Sequence, residues 1–127
     1  MKFKNIILAI ILICTPAIIF AQDTNPKTIT IRKLTKELSK NIQIVDVRTP
    51  KEFHEEHIKN SINYDFKSDE FKSLISNLNK EKPVYLYCRT GKRSAEAAVQ
   101  LKNSGFKEVY SLKGGITKWK KRKLNIE

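Results

Sequence analysis

Two short runs constrain this chain more than anything else in it. Ile42-Gln43-Ile44-Val45-Asp46-Val47 and Pro83-Val84-Tyr85-Leu86-Tyr87-Cys88 are β-branched or aromatic, and mostly apolar. A strand that is apolar on both sides is buried on both faces, which is the habit of a parallel sheet covered by helices. The segments around them fit that plan. Ile31, Leu34 and Leu38 lie at helical spacing. Thr49-Pro50 opens a helix to about Glu56, with Thr49 as its cap and Pro50 at the first position. Ile62–Tyr64 reads as a short strand. Ser68 or Asp69 is expected to cap a helix bearing Phe71, Leu74, Ile75 and Leu78. A helix from Ser94 to Leu101 stops at Gly105, and Val109–Leu112 is the last strand. A Gly114-Gly115 turn and a final helix over Ile116–Lys121 follow. Strands alternating with helices predict an α/β fold with a mainly parallel sheet. In such sheets ligands sit at the carboxyl ends of the strands, and Cys88 lies at one of those ends.

The chain has 127 residues, enough for one domain. Lys2 and Lys4 precede an apolar run from Ile6 to Phe20, broken by Thr15 and Pro16, with Ala21 at its end. A basic start, a short apolar stretch and a small residue describe a secretory signal peptide over residues 1–21. The run is short for a membrane span, which takes about 20 residues. A retained anchor and a lipidated Cys14 are the alternatives, and Leu12-Ile13 before Cys14 is a poor match to the second. Cleavage after Ala21 leaves Gln22–Glu127, exported and expected in the periplasm, with no membrane span. Residues 22–27, including Pro26, read as a mobile lead-in, and 28–127 as the folded domain. The two cysteines become one. A lone thiol in a disulfide-forming compartment is either a buried small hydrophobe or a reactive group. The net charge of +12 falls to +10 without Lys2 and Lys4. Such a field favours small anions or an acidic protein partner. No long basic stripe with interleaved aromatics argues for nucleic acid. The densest run, Lys118-Trp119-Lys120-Lys121-Arg122-Lys123, reads as a solvated helix face and tail.

The neighbours of Cys88 favour reactivity. The order is strand, Cys, five loop residues, helix. A thiol at a helix start meets free backbone N–H groups and the positive end of the helix dipole. Gly91 permits a tight loop whose N–H groups turn inward as an anion-binding nest. Arg89, Lys92 and Arg93 add three cations. Each feature favours the thiolate, the form that attacks. Ser94 is expected both to cap the helix and to donate to a species bound on the sulfur.

Cys88-Arg89-Thr90-Gly91-Lys92-Arg93-Ser94 resembles the active-site loop of rhodanese-domain sulfurtransferases, with its Cys-x-x-Gly-x-x-Ser/Thr pattern. Val45-Asp46-Val47-Arg48, Glu52-Phe53 and His57-Ile58 resemble that family's N-terminal signature. Leu112-Lys113-Gly114-Gly115-Ile116-Thr117-Lys118-Trp119 resembles its C-terminal one. Three motifs in the right order span most of the chain after the signal segment. The family usually has Gly before the His and a Gly-Ala-like pair after it; here Glu56 and Asn60-Ser61 stand there. The resemblance implies a three-layer rhodanese-like fold with about five strands. It implies that Cys88 takes sulfur from a small anionic donor such as thiosulfate, carries it as a persulfide, and yields it to cyanide or a thiol. Arg89, Thr90, Gly91, Lys92, Arg93 and Ser94 would then bind the substrate. Lys92 and Arg93 would attract the donor and neutralise the leaving group. No metal or organic cofactor is implied, and a monomer is expected.

Cysteine phosphatases and arsenate reductases use a similar cradle. The phosphatases use Cys-x5-Arg, whereas Arg93 stands at Cys-x4-Arg, and a shorter loop suits one sulfur atom better than a tetrahedral oxyanion. A docking module that turns over nothing, or a persulfide carrier between proteins, is the reading from another class. Inactive members of the family usually lack the Cys that this chain keeps. His54-Glu55-Glu56-His57 is not the zinc motif His-Glu-x-x-His, because its histidines are three apart. His57 is expected to be packed and His54 exposed. Asp46 and Arg48 are expected to pair and order the fold, and Trp119, Tyr85 and Tyr87 to belong to the core or a pocket wall.

Overall fold

The computed structural model describes residues 16–17 and 25–127. The expected signal peptide, its cleavage point and Cys14 lie outside the described residues. The elements are β1 (Lys27–Ile29), α1 (Ile31–Glu37), β2 (Gln43–Asp46), α2 (Pro50–Glu55), β3 (Ile62–Asn63), α3 (Phe71–Ile75), β4 (Val84–Tyr87), α4 (Lys92–Asn103), β5 (Val109–Leu112) and α5 (Gly115–Lys121). Among the described residues all elements fall between Lys27 and Lys121, and the tail to Glu127 is tied back by the Ile58–Ile126 bridge. A chain starting at Gln22 therefore carries the whole described fold. Among the described residues no helix is long and apolar enough to cross a membrane.

The five strands form one sheet in the order β1-β5-β4-β2-β3, and every pairing is parallel. Parallel neighbours need crossover segments, and the helices supply them. Alternate residues of the strands face opposite sides. Val45, Val84, Leu86 and Val109 pack with Phe71 and Ile75 of α3 and Ala97, Ala98 and Leu101 of α4. Ile44, Tyr85, Tyr87 and Leu112 pack with Ile31 and Leu34 of α1 and Ile116 and Trp119 of α5. The result is the expected three-layer α/β arrangement, and Trp119, Tyr85 and Tyr87 are all core residues.

Strand β1 begins at Lys27, within the stretch expected as a lead-in, because Lys27 pairs in register with Tyr110 of β5. Helix α3 is capped by neither Ser68 nor Asp69. Glu70 is its N-cap residue and makes no side-chain cap bond. Ser68 instead closes the preceding turn, accepting from Glu70 N at its hydroxyl and from Phe71 N at its carbonyl. The Thr49 cap is as expected. Thr49 Oγ1 accepts from Glu52 N while Glu52 reaches back to Thr49 N, a reciprocal capping box. Such a cap stabilises a helix start by about 1 kcal/mol.

The important placement is that of β2 beside β4, with Asp46 opposite Tyr87. Helices α2 and α4 therefore leave from adjacent carboxyl ends of the sheet, so the first turn of α2 faces the first turn of α4. Beneath them, Arg48 and Asp46 form a buried pair, with Nη2 donating to Oδ2 at 2.7 Å and Nε to Oδ1 at 3.0 Å. Arg48 also donates to the Glu56 carbonyl at 2.7 Å, which fastens the end of α2 to the sheet. This is the ordering role expected of the pair.

Candidate active site

Cys88 follows β4 directly and is 2% exposed. The chain then turns through Arg89, Thr90 and Gly91 into α4. Gly91 has φ of +116°, a conformation that favours glycine, and it is the N-cap of the helix. That turn points its own N–H at the sulfur, 3.1 Å from Cys88 Sγ. Ser94 Oγ lies 3.6 Å from the same sulfur, accepting from the thiol and able to turn its own O–H toward the thiolate. Burial pushes the Cys88 thiol up. The Ser94 hydroxyl and the backbone N–H groups of Ser94, Gly91 and Thr90 outweigh it and hold the thiol below its ordinary range. The site thus presents a sulfur at a helix start, ringed by donors that favour negative charge on it.

Ser94 does not cap α4. Because Gly91 turns the chain straight into the helix, Lys92 and Arg93 are already helical, and Ser94 sits inside the first turn with its hydroxyl directed at the Gly91 carbonyl, 3.1 Å away. Its hydroxyl also meets Ser111 Oγ of β5 at 2.7 Å. Both serines are buried.

The three loop cations do not converge on the sulfur. Arg93 donates from Nη1 and Nη2 to Glu52 Oε1 and Oε2 at 2.8 and 3.0 Å, a bidentate pair. Arg89 lies 3.6 Å from the same carboxylate, with its side chain 65% exposed. The Arg93 hydrogen bonds hold Glu52 at about 2, against the smaller opposing effect of burial. Lys92 is exposed and makes no ion pair among the described residues. Thr90 is also exposed. The largest influences lowering the thiol are therefore hydrogen bonds rather than neighbouring charge.

The floor of the loop comes from α5. Ile116 N donates to the Cys88 carbonyl at 2.9 Å and Thr117 N to the Arg89 carbonyl at 3.1 Å. Gly115 has φ of +57°, and a Cβ there would run into those same carbonyls. The glycine pair is thus more than a turn: it lets the start of α5 lie against the backbone of the loop.

A family model for the rhodanese-like domain matches residues 30–122. The chain belongs to the rhodanese-like domain family. Among relatives, it is 42% identical over 77 residues to the uncharacterized protein YqhL of Bacillus subtilis, covering 61% of this chain and 60% of that one. It is 43% identical over 81 residues to the thiosulfate sulfurtransferase GlpE of Coxiella burnetii, covering 64% of this chain and 74% of that one. Among solved structures, it is similar to a rhodanese-like domain protein from Staphylococcus aureus, with a TM-score of 0.67, 33% identity, and coverage of 73% of this chain and 90% of that one.

Within this rhodanese-like domain, three residues at the site escaped sequence reasoning. Glu52 was noted only as part of a signature, although its place at the third position of α2, after a strand neighbouring β4, carries it to the loop. Ser111 was read only as a strand residue; a small polar side chain in an otherwise apolar strand was the available signal. Gly115 was read as a turn. The histidines stand as expected: His57 stacks on Phe53 with ring centres 3.8 Å apart, and His54 is exposed.

Proposed function

We propose that this protein is a sulfurtransferase that moves sulfane sulfur through a persulfide on Cys88. The observation that carries the reading is the Cys88 sulfur held under the Gly91 N–H and beside the Ser94 hydroxyl at the start of α4. The thiolate attacks the outer sulfur of a donor such as thiosulfate. The bond between the two donor sulfurs breaks, sulfite leaves with that electron pair, and the persulfide remains on Cys88. The loop N–H groups that favour a thiolate also suit the anionic end of a persulfide. A second nucleophile, cyanide or a thiol, attacks the outer sulfur and returns Cys88 as thiolate. The likeness to the thiosulfate sulfurtransferase of Coxiella burnetii supports the donor class. The exposed Lys92 at the loop edge is suited to draw the donor in.

A phosphatase reading is disfavoured by Arg93, which sits one residue short of the usual spacing and is committed to Glu52. The working form is proposed to be Gln22–Glu127, exported to the periplasm. The test is turnover of thiosulfate and cyanide to thiocyanate and sulfite by that chain. Thiocyanate formation abolished by Cys88→Ser, with background hydrolysis of an aryl phosphate, is the expected result. Brisk phosphate release without thiocyanate would overturn the proposal.

A further inference from the structure

A cavity that the sulfur chemistry leaves unused opens where the chain enters β2 and β3, at the amino ends of those strands, and Cys88 does not line it. It has a volume of about 480 Å³, within the range of small-molecule sites. Leu38, Ile42 and Leu124 give it an accessible apolar wall, with Ile44, Ile58 and Trp119 behind them. Ile44, Ile58 and Trp119 are buried core residues that back this wall from the sheet, the β3 approach and α5. The outer wall is the segment after α5. It turns at Lys123, which has φ of +54°, and is pinned by Trp119 Nε1 donating to the Asn125 carbonyl at 3.1 Å. Farther on, His57 and Glu127 exchange backbone hydrogen bonds of 2.8 Å, which ties the tail across Ile58.

The charged residues that line this cavity are all of one sign. Lys40, Lys59 and Lys123 line it, and no carboxylate does. Lys40 is held by Glu37 at 2.7 Å. Lys59 and Lys123 are exposed and make no ion pair among the described residues. Asn41, Asn60 and Asn125 add amide groups that can donate or accept. Apolar walls with unpaired ammonium groups beside them are complementary to one kind of molecule: an apolar body ending in an anion. The basic run around Trp119 then has a division of labour, with Trp119 buried behind the wall and Lys123 supplying charge.

We propose that this cavity is a second ligand site, for a soluble amphipathic monocarboxylate whose apolar part lies on Leu38, Ile42 and Leu124 and whose carboxylate is met by Lys59 and Lys123. The proposal does not depend on the sulfurtransferase reading. Trp119, the only tryptophan of the chain, lies behind that wall, so its fluorescence reports on occupation of the cavity. Decanoate below its micellar concentration is titrated into Gln22–Glu127. A saturable change in emission is expected, with a dissociation constant of about 0.1–1 mM, as befits about a dozen non-hydrogen atoms. Decanol and decyltrimethylammonium should bind at least about tenfold more weakly. The exposed pair Lys59→Glu and Lys123→Glu, checked for an unchanged melting temperature, should weaken decanoate by about tenfold. Backbone NMR shifts on titration should centre on Leu38, Ile42, Lys59 and Leu124. The proposal is overturned by an absent or unsaturable response, by equal binding of the cation or alcohol, by indifference to the charge reversals, by shifts centred elsewhere, or by binding seen only to anionic lipid vesicles.

Discussion

Glu52→Gln is the most informative change at the mouth of the loop. The glutamine keeps the shape and one acceptor for Arg93 but removes the negative charge that answers it. Arg93 and Arg89, both now held toward Glu52, would face the entrance with one more uncompensated positive charge. For a doubly charged donor about 7 Å away in a water-like medium, one added cation is worth about 1 kcal/mol before screening. Physiological salt, with a Debye length of about 8 Å, reduces this to about 0.5 kcal/mol. The KM for thiosulfate should therefore fall about two- to threefold at physiological salt and further at low salt. The assay is steady-state thiocyanate formation at two ionic strengths, with circular dichroism to confirm the fold. An unchanged or raised KM, or a change indifferent to salt, would refute the view that Glu52 masks the loop cations.

Other expectations follow from the same geometry. Because Arg93 holds Glu52 at about 2, against an ordinary 4.5, the pair stabilises the fold fully above the ordinary value and loses that contribution as pH falls toward 2. The wild type should exceed Glu52→Gln in stability by about 2 kcal/mol at neutral pH, and thermal melts should show the gap closing between pH 4.5 and 2; a gap independent of pH would contradict this. Ser111→Ala should leave Ser94 less well oriented, push the Cys88 thiol up, and slow alkylation by iodoacetamide about threefold at neutral pH, with the rates converging in alkali. Gly115→Ala should cost about 2 kcal/mol in chemical denaturation and also perturb Cys88 alkylation. Gly105→Ala, also at positive φ but with open space around its Cβ position, should cost less and leave Cys88 alone.

What was legible in the sequence is what local pattern controls. The apolar runs at Ile42–Val47 and Pro83–Cys88 announce β2 and β4 because strands buried on both faces leave few polar positions. Thr49-Pro50 announces α2 because capping chemistry is local. Cys88 at a strand end before a helix was therefore visible as a candidate site. Strand β1 was not, since it spans only three residues and buries only Ile29; its existence depends on pairing with β5. The start of α4 was misplaced because nothing local declares that Gly91 adopts positive φ and begins the helix two residues before Ser94. The Glu52–Arg93 pair joins residues 41 apart, and only the adjacency of β2 and β4 brings them together. For the same reason the loop cations read as a charge cluster on the sulfur, while in the fold Glu52 claims two of them.

The central claim is that Cys88 carries the sulfur, and intact-mass spectrometry of Gln22–Glu127 tests it most directly. After incubation with thiosulfate and removal of excess donor, the protein should gain one sulfur atom, mapped to the Cys88 peptide, and lose it on addition of cyanide. Cys88→Ser should gain nothing. A wild-type mass unchanged by thiosulfate, with the Cys88 thiol still free to alkylate, would contradict the account.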